Sequence, residues 1–241
     1  MPEKHDLSIV IPTYKEEKRI ERCINESLFF FRNNPRISNF EIIFVSDDAG
    51  DQTIEMIKKH LPGNPELKLL VNPERLQKGF SVRRGVLEAK YDPIMFYDVD
   101  LSTPLYETNK FLDEIDKYDM LIASRGLGES KVEKQWHKAF FSKGFSIWKR
   151  LLLGTNVNDT QCGFKMFNSK CKELFKLQTI KTSTFDLEIL YIARKKGFTV
   201  KELPVTWIDS DASNFTTFGN IRQCFFDTLK ILSASRKGKY G

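Results

Sequence analysis

The sequence predicts an α/β protein whose central, mostly parallel sheet is covered by helices on both faces. Short β-branched apolar runs alternate with segments of helical spacing through the first half of the chain. Several of those runs stop on acidic residues, which places carboxylates at strand ends. No internal repeat or low-complexity linker interrupts the pattern.

Residues 7–11 form the first strand, and Pro12 breaks it. Residues 16–31 follow as a helix, with Ile20, Cys23, Ile24, Ser27, Leu28 and Phe31 on one face and Asn33-Asn34-Pro35 as its end. A strand over 40–46, a helix over 51–60, a strand over 67–71, a helix from about 79 to 89 and a strand over 94–97 come next. Alternation at this pace requires right-handed crossovers and hence parallel strands. In the second half, strands are expected over 120–124, 163–167 and 200–207. Helices are expected over 135–153, 185–196 and 217–233, the second closed by Gly197 at its C-cap.

Composition narrows the function classes. With 41% hydrophobic residues in 241, the chain can bury a substantial core. No run approaches the roughly 20 apolar residues that span a bilayer, and Met1-Pro2-Glu3-Lys4 does not open a signal peptide. Cys23, Cys162, Cys171 and Cys224 lack paired metal-ligand spacing and read as reduced thiols, so a cytoplasmic location is expected. A net charge of +6 favours an anionic partner. Nucleic acid is not expected to be that partner, since no helix-turn-helix, zinc or RNP signature is present.

The strongest functional signal is Phe96-Tyr97-Asp98-Val99-Asp100-Leu101-Ser102-Thr103-Pro104. Two carboxylates one residue apart at a strand's carboxyl end repel unless a cation or a donor cluster sits between them. Hard oxygen donors of this kind suit Mg²⁺ or Mn²⁺ holding a nucleotide's phosphates. Asp47-Asp48 ends the second strand, where a carboxylate can accept from a base N–H or a ribose hydroxyl. Pro12-Thr13-Tyr14-Lys15-Glu16 follows the first strand, with Tyr14 available to stack on a base. Lys78-Gly79 opens a helix and suits a phosphate by charge and by free backbone N–H groups, although the P-loop spacing is absent. The most specific string is Asn158-Asp159-Thr160-Gln161-Cys162-Gly163-Phe164-Lys165-Met166-Phe167.

Together with Ser124-Arg125, Phe185-Asp186-Leu187-Glu188 and Pro204-Val205-Thr206-Trp207, these motifs resemble family 2 glycosyltransferases of the GT-A fold. Within that family the chain is most similar to the dolichyl-phosphate β-glucosyltransferase branch and related polyprenyl-phosphate sugar transferases. Two motifs depart mildly from the usual pattern: Asp47-Asp48-Ala49-Gly50 for Asp-Asp-Gly-Ser, and Ala123-Ser124-Arg125 for Gly-Ser-Arg.

The resemblance implies a GT-A domain over about 1–210, with a nucleotide-sugar half to about 125 and an acceptor half beyond it. Residues 211–241 would add a C-terminal helix and basic tail. It implies metal-dependent, inverting transfer of a hexose, with UDP-glucose as the expected donor and Mg²⁺ or Mn²⁺ as cofactor. The acceptor would be a polyprenyl phosphate, or alternatively a glycan hydroxyl. Pro12, Tyr14, Glu16 and Asp48 would line the nucleotide site, and Lys78 would lie near the phosphates. Asp98 and Asp100 would take the ribose and the metal–diphosphate. Arg125, Gln161 and Lys165 would meet the acceptor, and Asp159 would be the base if the acceptor is a hydroxyl.

A lipid acceptor implies contact with the cytoplasmic face of a membrane. Phe225, Phe226, Leu229, Ile231 and Leu232 beside Arg222, Lys230, Arg236, Lys237 and Lys239 suit an interfacial helix. The simpler alternative packs those aromatics onto the domain.

Overall fold

A computed structural model describes residues 3–133, 154, 157–208 and 217–241. Seven strands form the main sheet: β1 (His5–Thr13), β2 (Ile37–Asp47), β3 (Leu67–Asn72), β4 (Ile94–Tyr97), β5 (Met120–Ser124), β7 (Phe164–Phe167) and β8 (Val200–Pro204). Their spatial order is β3-β2-β1-β4-β7-β5-β8. All neighbours are parallel except β7, which runs antiparallel to both β4 and β5. Two short strands, β6 (Lys131–Glu133) and β9 (Thr206–Ile208), pair in parallel as a separate ribbon. The described helices are α1 (Ile20–Asn33), α2 (Thr53–His60), α3 (Lys78–Glu88), α4 (Thr108–Leu112), α5 (Lys172–Leu177), α6 (Phe185–Lys195) and α7 (Thr217–Arg236).

Strand side chains alternate between two apolar layers, because successive residues point to opposite faces. Ile9, Ile11, Phe44, Met95, Tyr97 and Phe164 meet α1 and the segment carrying Phe111. Val10, Val45, Phe96, Ile122 and Phe167 meet α3, α5 and α6. Burial on both faces explains why the strands read as continuous apolar runs. Gly85 lets α3 lie flat on the sheet, since a Cβ there would come within 2.3 Å of Val10 Cγ1.

The topology creates one crevice. The chain steps from β1 outward to β2 and β3, then returns to place β4 on the other side of β1. Open α/β sheets bind ligands at such a reversal, outside the carboxyl ends of the strands. Because β7 is antiparallel and pairs Phe164 with Tyr97, its beginning lies at that same edge. The 158–163 segment is thereby delivered to the end of β4.

Several elements differ from the sequence reading. The first helix starts at Ile20, not residue 16: Lys15 adopts φ 57°, and the Glu16 carbonyl instead accepts the Arg19 and Ile20 N–H groups in a turn. Residues 200–207 are two strands, not one. Pro204 offers no N–H to continue the ladder, and the chain leaves the main sheet to join β6. The short helices α4 and α5 were too brief for periodicity to reveal. The helix expected over 135–153 lies outside the described residues.

Replacing Gly85 with Ala tests the α3 packing. Overpacking by one methyl group against Val10 and Val45 is expected to cost about 1–3 kcal/mol, read as a lower denaturant midpoint.

Candidate active site

At the end of β2 the two aspartates have separate tasks. Asp47 is buried and accepts hydrogen bonds from Asn72 Nδ2 (2.7 Å), the Gln77 backbone N–H (2.8 Å) and Ser81 Oγ (3.2 Å). It therefore fixes the turn between β3 and α3, where Gln77 holds φ 65°. Asp48 faces outward and accepts only the Gly50 N–H in a local turn (3.0 Å) among its described hydrogen bonds, leaving acceptor capacity toward the crevice.

Tyr14, half-buried after β1 and Pro12, carries the Arg75 guanidinium 4.4 Å from its ring centroid. Arg75 comes from the turn after β3, so this contact bridges the end of β2, beside Asp48. Sequence reasoning missed Arg75, because no local spacing links it to Tyr14. Glu16 accepts two hydrogen bonds from Arg19, at 2.7 and 2.9 Å, and donates its backbone N–H to Thr53 Oγ1. Burial pushes its carboxyl up to about 7; Arg19 opposes the shift, while Asp98 and Asp100 reinforce it.

Asp98 and Asp100 stand at the end of β4. The Lys78 ammonium spans both Asp98 oxygens, at 2.7 and 2.8 Å. The Asp98 N–H reaches the Gly163 carbonyl at 3.2 Å. A Cβ on residue 163 would sit 1.9 Å from Asp98 Oδ2, so only glycine allows this approach. Asp100 accepts the Ser102 N–H at 2.9 Å. The expectation of a free N–H at Gly79 is corrected: that group donates to the Lys181 carbonyl at 2.7 Å. Lys78 is left to act on an anion by its charge.

Of the residues expected at the acceptor, Arg125, Asp159 and Gln161 come together. Arg125, at the end of β5, grips Asp159 with Nε (2.6 Å) and NH2 (3.0 Å), and its backbone N–H adds a third bond at 3.1 Å. Asp159 has no solvent exposure. Burial would raise its carboxyl, but the Arg125 guanidinium more than offsets this and holds it below the usual carboxylate range. Glu202 on β8 accepts the Asn158 and Asp159 N–H groups, fixing the start of the loop. The face of Trp207 lies 5.6 Å from the Arg125 guanidinium. Gln161 is half-buried, its N–H on Asp159 Oδ1 at 3.2 Å. Lys165, expected at an acceptor phosphate, is instead buried beneath the sheet and ion-paired with Asp186 at 2.8 Å. Glu202, Trp207 and Asp186 were given no role from sequence, since each acts through a partner far along the chain.

Among the described residues no group of three or more His, Cys, Asp or Glu side chains forms a metal cage. Asp98 and Asp100 still suit Mg²⁺ or Mn²⁺ by donor chemistry, since such ions commonly take one or two carboxylates and complete their shell with phosphate and water.

The mostly parallel sheet thus carries acidic strand ends at its reversal, facing the cationic Lys78. The chain matches the profile of glycosyl transferase family 2 over residues 8–175 and belongs to that family. It is similar to a dolichyl-phosphate beta-glucosyltransferase of Trichomonas vaginalis, at 30% identity over 97% of this chain and 75% of the relative. The human dolichyl-phosphate beta-glucosyltransferase is 26% identical over 93% of this chain and 74% of its own length. Among solved structures, glucosyl-3-phosphoglycerate synthase from Mycobacterium tuberculosis in complex with UDP aligns with TM-score 0.66 at 14% identity, covering 94% of this chain and 80% of that one. The Pyrobaculum calidifontis mannosyltransferase in complex with GDP-Man and Mn²⁺ gives 0.61 at 16% identity, covering 92% and 63%.

The Asp159 environment has a pH consequence. Its carboxyl is depressed on folding, so its stabilising contribution is complete above the ordinary carboxylate range and is lost as pH falls toward its folded value. Asp159→Asn should flatten the acid limb of the stability profile. At neutral pH it should also cost about 3–5 kcal/mol by leaving Arg125 without its counter-charge. Chemical denaturation across pH 3–7 checks both.

Proposed function

We propose that this family 2 glycosyltransferase moves glucose from UDP-glucose to dolichyl phosphate or a closely related polyprenyl phosphate, with inversion at the anomeric carbon. The observation that carries the reading is its likeness to dolichyl-phosphate beta-glucosyltransferases over nearly the whole chain, acceptor side included. In this reading Pro12, Tyr14 and Asp48 receive the uracil, Glu16 lines the site, and Lys78 faces the diphosphate. Asp98 meets the ribose and, with Asp100, holds Mg²⁺ or Mn²⁺. That ion, when bound, supplies positive charge to the departing diphosphate.

The residues favour a phosphate acceptor over a hydroxyl. A hydroxyl needs a base whose pKa lies near the working pH. Asp159 is the candidate base, yet Arg125 binds both its oxygens and depresses its pKa. A phosphate monoester is already an anion at neutral pH and needs no proton removed. Its requirement is to be held in line, and the positive charge of Arg125 at the end of β5 suits an anion. Gln161 is a polar neighbour for that anion. Lys165, buried under the 158–163 loop, contributes through the loop's position.

A polyprenyl phosphate lies in a bilayer, and α7 offers the docking face. No described helix is long and apolar enough to cross a membrane. The helix packs on the domain through Cys224, Ile231 and Ala234 among its described residues. Phe225, Phe226 and Leu229 are 44%, 50% and 44% exposed. Arg222, Lys230, Arg236 and Lys237 are exposed on the same helix or its end. Apolar side chains that enter the headgroups beside basic residues suit an anionic surface.

Two measurements test the reading. With labelled UDP-glucose, Mn²⁺ and dolichyl phosphate, label should pass into the organic phase. EDTA or Asp100→Ala should abolish transfer while leaving the unfolding midpoint near wild type, since Asp100 is a half-exposed strand-end carboxylate. Label that moves only onto water-soluble glycans would overturn the lipid acceptor. Separately, binding to anionic liposomes should be salt-sensitive and weakened by Phe226→Ser/Leu229→Ser. Tail truncation is a poor control, because Tyr240 is buried with its hydroxyl on Glu188; Lys237→Glu/Lys239→Glu is the better charge test.

A further inference from the structure

Beneath the β4–β7 pair lies an ionic cluster whose second member, Asp186, the steps above leave without a task. Lys165 aligns with Phe96 on β4 and Ile122 on β5, so its side chain enters the apolar layer against α6. It is 3% exposed, as is its partner Asp186 in the first turn of α6. The Lys165 ammonium also donates to the Cys162 carbonyl, one residue before the Gly163 that touches Asp98. Lys78 lies close as well: its ammonium and that of Lys165 each lie 5.5 Å from the Phe96 ring centroid. Asp186 therefore acts electrostatically on two cations, the buried Lys165 and the Lys78 that holds Asp98.

An ion pair in an apolar layer is poor ground for stability. Desolvating both charges commonly costs as much as their attraction returns, and well-packed apolar replacements are often as stable or more so. The position of this pair gives it a different use. On one side it fixes the turn that brings Gly163 against Asp98; on the other it shares a field with the cation facing that carboxylate.

We propose that Asp186 and Lys165 are positioning residues that present Lys78 and the Cys162–Gly163 turn to the donor's diphosphate. Asp186 gives the Lys78 ammonium a second counter-charge, so that it can leave Asp98 for an incoming phosphate without losing its place. Lys165 keeps Gly163 tight on Asp98, which fixes that carboxylate's direction. The inference rests on the nucleotide-sugar reading and adds two groups that touch neither donor nor acceptor.

Calorimetry with UDP and UMP at one fixed Mn²⁺ concentration tests it, because the ratio of the two affinities reports the β-phosphate alone and is independent of the folded fraction. Asp186→Asn and the apolar double variant Lys165→Met/Asp186→Leu should each lose about tenfold of the wild-type preference for UDP, the scale of one charge-assisted contact. UMP affinity should fall by less than UDP affinity, since the base contacts are untouched and only the ribose contact at Asp98 is disturbed. The double variant should unfold no earlier than wild type. An unchanged UDP-to-UMP ratio in either folded variant would overturn the positioning role, and so would a double variant that fails to fold, since the pair would then be structural. If the wild type binds neither nucleotide, the nucleotide-sugar reading itself falls, which a change confined to the variants cannot produce.

Discussion

The placement of Asp98 is the constraint on which the rest of the site depends. Its carboxylate stands at the carboxyl end of β4, close to Asp100 and within the field of Glu16. Such a concentration of negative charge is unfavourable unless cations answer it. Lys78 answers it on one side, at 2.7 Å, while Gly163 closes the other by having no side chain to intrude. Everything that fixes these two neighbours, from the Asp47 hub under the β3–α3 turn to the antiparallel β7, serves to hold one carboxylate in one direction.

Packing and function divide the sheet between them. Its two apolar layers account for the stability of the strands, and two of the buried ion pairs that interrupt them lie close to the crevice. Asp159 and Arg125 form one such interruption, Lys165 and Asp186 another. Each pair ties the 158–163 loop to a rigid element: the end of β5 in the first case, the first turn of α6 in the second. A loop held at both ends by charge can present Gly163 to Asp98. The depressed carboxyl of Asp159 follows from the same arrangement, and it is what disfavours a base-catalysed reaction at that position.

The sequence made legible what depends on local periodicity. Strand–helix alternation located β1 to β4 and α1 to α3, and the acidic strand ends marked the crevice before any coordinates. Asp48, Asp98 and Arg125 stand just past the ends of β2, β4 and β5, Lys78 reaches Asp98, and Asp159 is buried against Arg125. What stayed hidden depends on contacts between distant residues. Arg75 over Tyr14, Glu202 under Asp159, and Asp186 on Lys165 have no spacing that announces them. The acceptor role of Lys165 comes from resemblance alone, and only the register with Phe96 and Ile122 shows its side chain pointing inward onto Asp186. The break at Pro204 was visible as a residue, but its effect required knowing that β5 ends opposite it.

The most direct test of the account is a crystal structure with UDP and Mn²⁺ measured at the manganese absorption edge. The account predicts an anomalous peak bounded by Asp98, Asp100 and the diphosphate, with the Lys78 ammonium moved from Asp98 to a phosphate oxygen and the Arg125–Asp159 pair intact. A diphosphate bound away from the ends of β1 and β4, or bound there with Lys78 still closed on Asp98, would contradict it.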